Sequence, residues 1–151
     1  MKEQILKLKE QTGAGIMNAK KALEDAGGDF EKAKAVLVKK GLEKAEKKSD
    51  RESTEGLIYA YIHGSDTNSG KAGVLLNMAC ETDFVAKNEQ FIELCKEVAM
   101  QICAMQPENI EALLEMPYIR DSKKTIDGLI KETVAKLGEN IFVKEFTRLA
   151  I

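Results

Sequence analysis

The sequence predicts an α+β fold, in which a bundle of three short helices precedes a core of helices packed on an antiparallel sheet. Apolar residues recur at helical spacing between glycines up to residue 41, whereas they alternate with a period of two from Gly56 onwards. Between these patterns lies a charged stretch, LEKAEKKSDRESTE, with few apolar residues. We therefore predict a helical bundle at residues 1–41, a charged connector at 42–55 and an α+β core at 56–151.

Glycine-rich turns divide the predicted bundle into its helices. The first helix ends at the turn TGAG, residues 12–15, where two glycines free the backbone for a tight turn. The second helix covers residues 16–26, and glycines 27–28 supply a left-handed cap. Asp29 is suited to cap the third helix, which we expect to end at Gly41. A bundle of this size has a small core that is only marginally stable alone.

The strands of the predicted core give the order β-β-α-α-β with a three-stranded antiparallel sheet. Alternation of apolar and polar residues over 57–63 predicts the first strand. A loop at 64–70 separates it from a second strand at 73–80, so the two form a hairpin. The last strand begins with the apolar residues 141–143. Helices are therefore expected on one face of this sheet.

Prolines divide the helical part of the core. Pro107 ends a long helix whose apolar residues recur on one face, and Pro117 interrupts the chain again. The predicted helices cover residues 88–105, a short stretch at 108–114, and a segment from Asp121 or Ser122 to Gly138.

Composition excludes several classes of function. The formal net charge of −2 gives no electrostatic footprint for general nucleic-acid binding. Lysines in the connector alternate with glutamates, which favours a solvated helix or linker; an RNA-contacting patch is the alternative. No apolar run approaches the roughly 18 residues that span a bilayer, and the N-terminus lacks a signal-peptide pattern. We expect a cytoplasmic protein that binds neither membrane nor nucleic acid.

The inventory of reactive side chains argues against an enzyme. Cys95 and Cys103, if they share a helix, lie about 12 Å apart, which is too far for a disulfide. Cys80 completes the set of three cysteines, and His63 is the only histidine, so a zinc site or a base for a nucleophile has almost nothing to be built from. We expect buried structural thiols, no bound metal and no cofactor.

The segment CETDFVAKN, residues 80–88, stands where a strand passes into a helix, and such exposed junctions often carry function. Two interpretations remain open. In one, Asp83 caps a helical turn and Phe84 packs into the core. In the other, Phe84 projects as an aromatic anchor worth about 1.5–3 kcal/mol in a binding pocket, while Asp83 competes for polar groups there.

Three stretches resemble the signatures of a known family. Residues 12–23 (TGAGIMNAKKAL), 81–88 (ETDFVAKN) and 136–141 (KLGENI) resemble, in the same order, characteristic regions of elongation factor Ts. The resemblance implies a ubiquitin-associated-like three-helix bundle at the N-terminus. It also implies a core with a three-stranded antiparallel sheet, as the periodicity predicts.

The same resemblance implies guanine-nucleotide exchange on elongation factor Tu during translation elongation. The bundle would dock on the GTP-binding domain of elongation factor Tu, with Ile16 and Met17 facing it. Ile16 and Asn18 stand where the family more often shows Met and Asp. The segment that would displace the support of the nucleotide's Mg²⁺ corresponds to Thr82, Asp83, Phe84 and Val85.

The resemblance covers a single half of the family's core. It is therefore closest to the short bacterial form, in which two chains pair, and it implies a homodimer through the sheet domain. A lone half-core would leave an apolar sheet face or edge uncovered. The alternative function is a ubiquitin-associated-like adaptor that binds proteins without exchange activity.

Overall fold

The computed structural model describes residues 1–64 and 68–151. Residues 65–67 of the loop predicted at 64–70 lie outside the described residues. Within the described ranges the helices and strands follow one another along the chain in the order α1 Lys2–Thr12, α2 Ile16–Asp25, α3 Phe30–Lys47, β1 Glu55–Ile62, β2 Ala72–Cys80, α4 Asp83–Ala86, α5 Glu89–Met105, α6 Ile110–Glu115, β3 Pro117–Tyr118, β4 Asp121–Thr125, α7 Ile126–Leu137 and β5 Phe142–Ala150.

Helix ends in the bundle follow the predicted signals. Gly13 adopts a left-handed conformation with φ of 70° and ends α1. The amide of Gly28 donates to the carbonyl of Leu23 at 2.8 Å, which closes the end of α2. The Asp29 carboxylate accepts from the Lys32 amide at 3.1 Å and caps α3. The helices enclose a small core formed by Leu8, Ala19, Ala22, Leu23, Ala33 and Leu37.

The prediction that the third helix ends at Gly41 is wrong, because α3 continues to Lys47. Gly41 instead lets two helices approach closely: a Cβ placed there would lie only 3.1 Å from the Cβ of Ala135 in α7. Further along α3, Ala45 is buried within the core cluster of the α+β region. The first part of the predicted connector is thus a helix packed on α7.

The three-stranded sheet is antiparallel in the order β1-β2-β5, as predicted. Leu76 and Met78 of β2 are fully buried on the face that α5 covers. The opposite face carries exposed apolar side chains: Ile58 is 64% exposed, Leu75 54% and Leu149 75%. One face of the sheet therefore belongs to the core, while the other remains open.

The start predicted for the last long helix is also wrong. The segment Asp121–Thr125 forms strand β4, which pairs with β3. Helix α7 begins only at Ile126. Thr125 caps α7, since its hydroxyl oxygen accepts from the Gly128 amide at 3.1 Å. The β3–β4 ribbon is held on α5 by buried Gln101, which donates to the carbonyl of Pro117 and accepts from the amide of Ile119, both at 3.1 Å. These tertiary bonds override the local helix-start signal at Asp121.

Within residues 1–64 and 68–151, no helix combines the length and the apolar character that crossing a membrane requires.

Candidate functional site

The turn between β2 and α5 is built around Thr82. The Thr82 hydroxyl oxygen accepts from the Val85 amide at 3.4 Å, so Thr82 rather than Asp83 caps the short helix α4. Val85 and Ala86 are buried and fix the inner side of the turn. Asn88 then caps α5 by accepting from the Gln90 amide. The backbone direction between strand and helix is therefore set by side-chain caps at the start of α4 and at the start of α5.

Phe84 points away from the core. Its side chain is 83% exposed, which excludes the interpretation that it packs inside the chain. Asp83 is exposed as well and pairs with Lys87 at 3.2 Å across one helical turn. An exposed aromatic side chain can lose its whole apolar surface to a partner, as the aromatic anchors of interfaces do.

A glutamate distant in sequence holds this turn. One carboxylate oxygen of Glu139 accepts from the amides of Glu81 at 3.1 Å and Thr82 at 2.9 Å. The other oxygen accepts from the Thr82 hydroxyl at 2.6 Å. The cap of α4 is thus anchored to the segment between α7 and β5. No local pattern predicts this contact, because the partners are 57 and 58 residues apart.

A second set of contacts joins the same two segments, with the Glu81 carboxylate of the turn now acting as the acceptor. The Asn140 amide donates to the Glu81 carboxylate at 2.8 Å, and Arg51 lies 3.6 Å from the same carboxylate oxygen. The buried side chain of Asn140 donates to the carbonyls of Arg51 at 2.8 Å and Ser49 at 3.3 Å. The turn, the α7–β5 segment and the chain after α3 therefore form one hydrogen-bonded unit.

Ile16 and Met17 lie in the first turn of α2 and are 51% and 75% exposed. Gly15 precedes them as the N-cap and offers no side-chain cap. The turn before α2 packs against the end of α7, where a Cβ at Gly13 would come within 2.7 Å of the Lys136 Cα. The stretch 136–141, which the sequence singled out without a role, thus lies against the turn before α2 at Lys136 and holds the turn of Thr82 at Glu139.

The three cysteines are buried and unbridged, and the histidine is hydrogen-bonded to a tyrosine. Burial raises the pKa of Cys80 to about 11 and that of Cys95 to about 12, so both thiols stay protonated at neutral pH. His63 shares a hydrogen bond of 2.9 Å with the Tyr61 hydroxyl. In the described part of the chain, no group of three His, Cys, Asp or Glu side chains is arranged to hold a metal ion.

Comparison with known proteins assigns this architecture to a family. Residues 81–151 match the family described as Elongation factor TS. Elongation factor Ts of Coprothermobacter proteolyticus is 43% identical over an alignment of 189 positions, which takes in 95% of this chain and 94% of that protein. Elongation factor Ts of Leptospira biflexa is also 43% identical and covers 99% of this chain and 96% of its own length.

A longer relative aligns with this chain over a length close to that of the chain itself. Elongation factor Ts of a Nostoc species is 46% identical over 147 residues, which are 97% of this chain and 45% of the relative. The family match begins at the turn that carries Thr82 and Phe84, and the alignments also include the bundle. The chain therefore belongs to the elongation factor Ts family.

Proposed function

We propose that this chain is a guanine-nucleotide exchange factor that acts on elongation factor Tu in translation elongation. It inserts the segment of Thr82, Asp83, Phe84 and Val85 into the GTP-binding domain and disturbs the Mg²⁺ site there. One observation carries this proposal: Phe84 is exposed on a turn whose capping residue, Thr82, is hydrogen-bonded to the distant Glu139. Membership in the elongation factor Ts family gives the partner.

The physical basis is a shift of population in the partner. Mg²⁺ neutralises phosphate charge and demands near-octahedral coordination, so a small displacement of its supporting groups weakens nucleotide retention. A wedge that binds the displaced state more tightly increases the population of that state. Burial of Phe84 against the partner contributes about 1.5–3 kcal/mol toward this, and the carboxylate of Asp83 lies beside it to compete for polar groups.

Ile16 and Met17 form the second contact surface of the proposal. Their side chains are exposed in the first turn of α2 and extend the apolar area that the exchange factor offers. We assign them to docking of the bundle on the GTP-binding domain. In this scheme the bundle at 1–41 docks, and the connector at 42–55, whose first part continues α3, joins it to the core at 56–151.

The proposed action requires no bond-making residue. Binding of the factor and binding of the nucleotide are coupled reciprocally, so incoming GTP weakens the factor's hold as much as the factor weakens that of GDP. The protein therefore turns over as a binding catalyst and not as an enzyme, in the cytoplasm where translation takes place. The adaptor alternative is not supported, because relatives that cover nearly the whole chain are named elongation factor Ts.

The uncovered face of the sheet supports a homodimer. Exposed apolar side chains lie on this face of the three adjacent strands, at Ile58, Leu75 and Leu149, and a second copy of the chain would bury them. We expect Leu75→Glu to convert a dimer to a monomer in sedimentation equilibrium. A dimer that persists at the same concentration in this variant would exclude the face as the interface.

The experiment that tests the function measures the release of fluorescent GDP from elongation factor Tu in the presence of Mg²⁺. The unsubstituted protein should accelerate release strongly, and the double variant Asp83→Ala/Phe84→Ala should lose most of that acceleration. Circular dichroism controls for folding of the variant. If the folded, unsubstituted protein leaves the release rate of its cognate partner unchanged, the exchange function is excluded.

A further inference from the structure

The wedge is the segment of Thr82, Asp83, Phe84 and Val85, and its exposed side chains do not fix their own orientation. Phe84 is 83% exposed, and the neighbouring Asp83 contacts only the exposed Lys87 among the side-chain hydrogen bonds and ion pairs of the described residues. The direction in which Phe84 projects therefore depends on the backbone of α4, a helix of four residues. A helix this short is not stable through its own hydrogen bonds, so its geometry must be imposed from outside.

Glu139 supplies that constraint. Its carboxylate accepts three hydrogen bonds from the turn, at 3.1, 2.9 and 2.6 Å, and both oxygens are used. Since the Thr82 hydroxyl directs its hydrogen to Glu139, its oxygen lone pairs remain free to accept from the Val85 amide. Glu139 thus fixes the rotation of the capping hydroxyl as well as the backbone before it. Hydrogen bonds to a carboxylate are about twice as strong as neutral ones.

We propose that Glu139 is a positioning residue for nucleotide exchange, holding Thr82 and the turn so that Phe84 is presented in the orientation that the wedge requires. This inference rests on the proposed exchange function. Glu139 itself acts through the turn, and its carboxylate is already occupied by intramolecular hydrogen bonds. It is therefore expected to affect the conformation of the wedge and not the docking surface at Ile16 and Met17.

The expected kinetic signature follows from this separation. Loss of the constraint leaves Phe84 in place but lowers the fraction of molecules with a competent turn, and the effective action of the wedge falls by that fraction. Docking through the bundle does not involve Glu139. The maximal rate of GDP release should therefore fall, while the concentration of factor that gives half of the maximal rate should change little.

Three substitutions test this. Glu139→Ala should lower the maximal rate of GDP release by about 10-fold or more, with a change below about 3-fold in the half-maximal concentration. Glu139→Gln keeps one oxygen for the two amides and should recover most of the rate. Glu108→Ala, at an exposed glutamate elsewhere in the chain, is the matched control and should behave as the unsubstituted protein.

Amide hydrogen exchange in the free protein provides the second readout. Glu139→Ala should accelerate exchange at the amides of Thr82 and Val85, while Glu139→Gln should give an intermediate rate. If Glu139→Ala does not fold, Thr82→Val replaces it, since this variant removes the hydroxyl that donates to Glu139 and retains the shape of the side chain. The same fall in maximal rate and the same loss of protection at Val85 are expected.

The possible outcomes distinguish a failure of the positioning role of Glu139 from a failure of the proposed exchange function. If the unsubstituted protein accelerates GDP release and Glu139→Ala does so equally well, the positioning role is overturned and the exchange function stands. A variant that changes only the half-maximal concentration also overturns it, because that result places Glu139 in docking. If the unsubstituted protein has no effect on release, the exchange function fails, and the positioning role fails with it.

Discussion

The turn that carries Phe84 and the helix start that carries Met17 are both exposed and apolar, but they are supported in opposite ways. The Phe84 turn is tied by three hydrogen bonds to Glu139 and lies on the larger core. Met17 follows Gly15, an N-cap without a side-chain hydrogen bond, and its helix belongs to a small core in which half of the buried residues are alanines. The first surface is held by side-chain hydrogen bonds from a distant residue, whereas the second starts without a side-chain cap.

This difference suggests that one surface determines the rate of exchange and the other determines the affinity for the partner. A preorganised surface loses little entropy on binding and can impose its shape on the partner. A loosely supported surface adapts to the partner and adds contact area instead. Under the proposed function, the Phe84 turn should therefore govern the maximal exchange rate, and the start of α2 should govern the concentration at which exchange occurs.

The largest effect is expected for Phe84→Ala. Removing about 1.5–3 kcal/mol of burial that is realised only in the displaced state should lower the maximal rate of GDP release by about 10- to 100-fold. Stability should hardly change, because the side chain is exposed in the free protein. Stopped-flow measurements over a range of factor concentrations separate the two kinetic parameters. An unchanged maximal rate with weaker half-saturation would assign Phe84 to docking and remove the contrast.

A smaller effect of the other kind is expected for Met17→Ala. The half-maximal concentration should rise about 3- to 10-fold, since one exposed apolar side chain is lost from a docking surface, while the maximal rate stays constant. The same titration with fluorescent GDP measures both values. Leu6→Ala, which truncates an exposed apolar side chain on α1, serves as the control. A fall in the maximal rate with Met17→Ala would mean that the bundle also takes part in displacement.

The smallest effect is expected for Lys87→Ala. The ion pair between Lys87 and Asp83 is exposed on both sides, and such pairs contribute only about 0–1 kcal/mol. The rate of GDP release should stay within about 2-fold of that of the unsubstituted protein, with little change when salt is added. A loss comparable to that of Glu139→Ala would show that the turn is held by this surface pair and not by the α7–β5 segment.

The fold class could be predicted from the sequence because the signals that indicate it are local. Glycine turns and helical or twofold periodicity predicted the bundle and the antiparallel sheet, and both are present. The prediction failed where a distant contact decides. Gly41 reads as a helix end, but its role is to admit Ala135 of a helix far along the chain. Asp121 reads as a helix start, but Gln101 holds the preceding ribbon, so that Thr125 becomes the cap.

At the candidate site the sequence predicted an exposed junction but not the residue that holds it. The residue types of the segment from Thr82 to Val85 pointed to an exposed junction, and the structure places Phe84 outside the core. Glu139 was missed as a participant because its partners lie far away in sequence. The stretch KLGENI carried a signal through resemblance alone, and only the three-dimensional contacts give it a physical task.

The bond between Thr82 and Glu139 also bears on how the chain is made. During synthesis the ribosome must add 57 residues after Thr82, the last of them Glu139, before the bond can close. Strand β5, which completes the sheet beside β2, comes later still. Contacts this distant in sequence form late and slowly. In a nascent chain the turn of Phe84 therefore lacks its bonds to Glu139 until that residue has emerged, and we expect the turn to take its final shape only then.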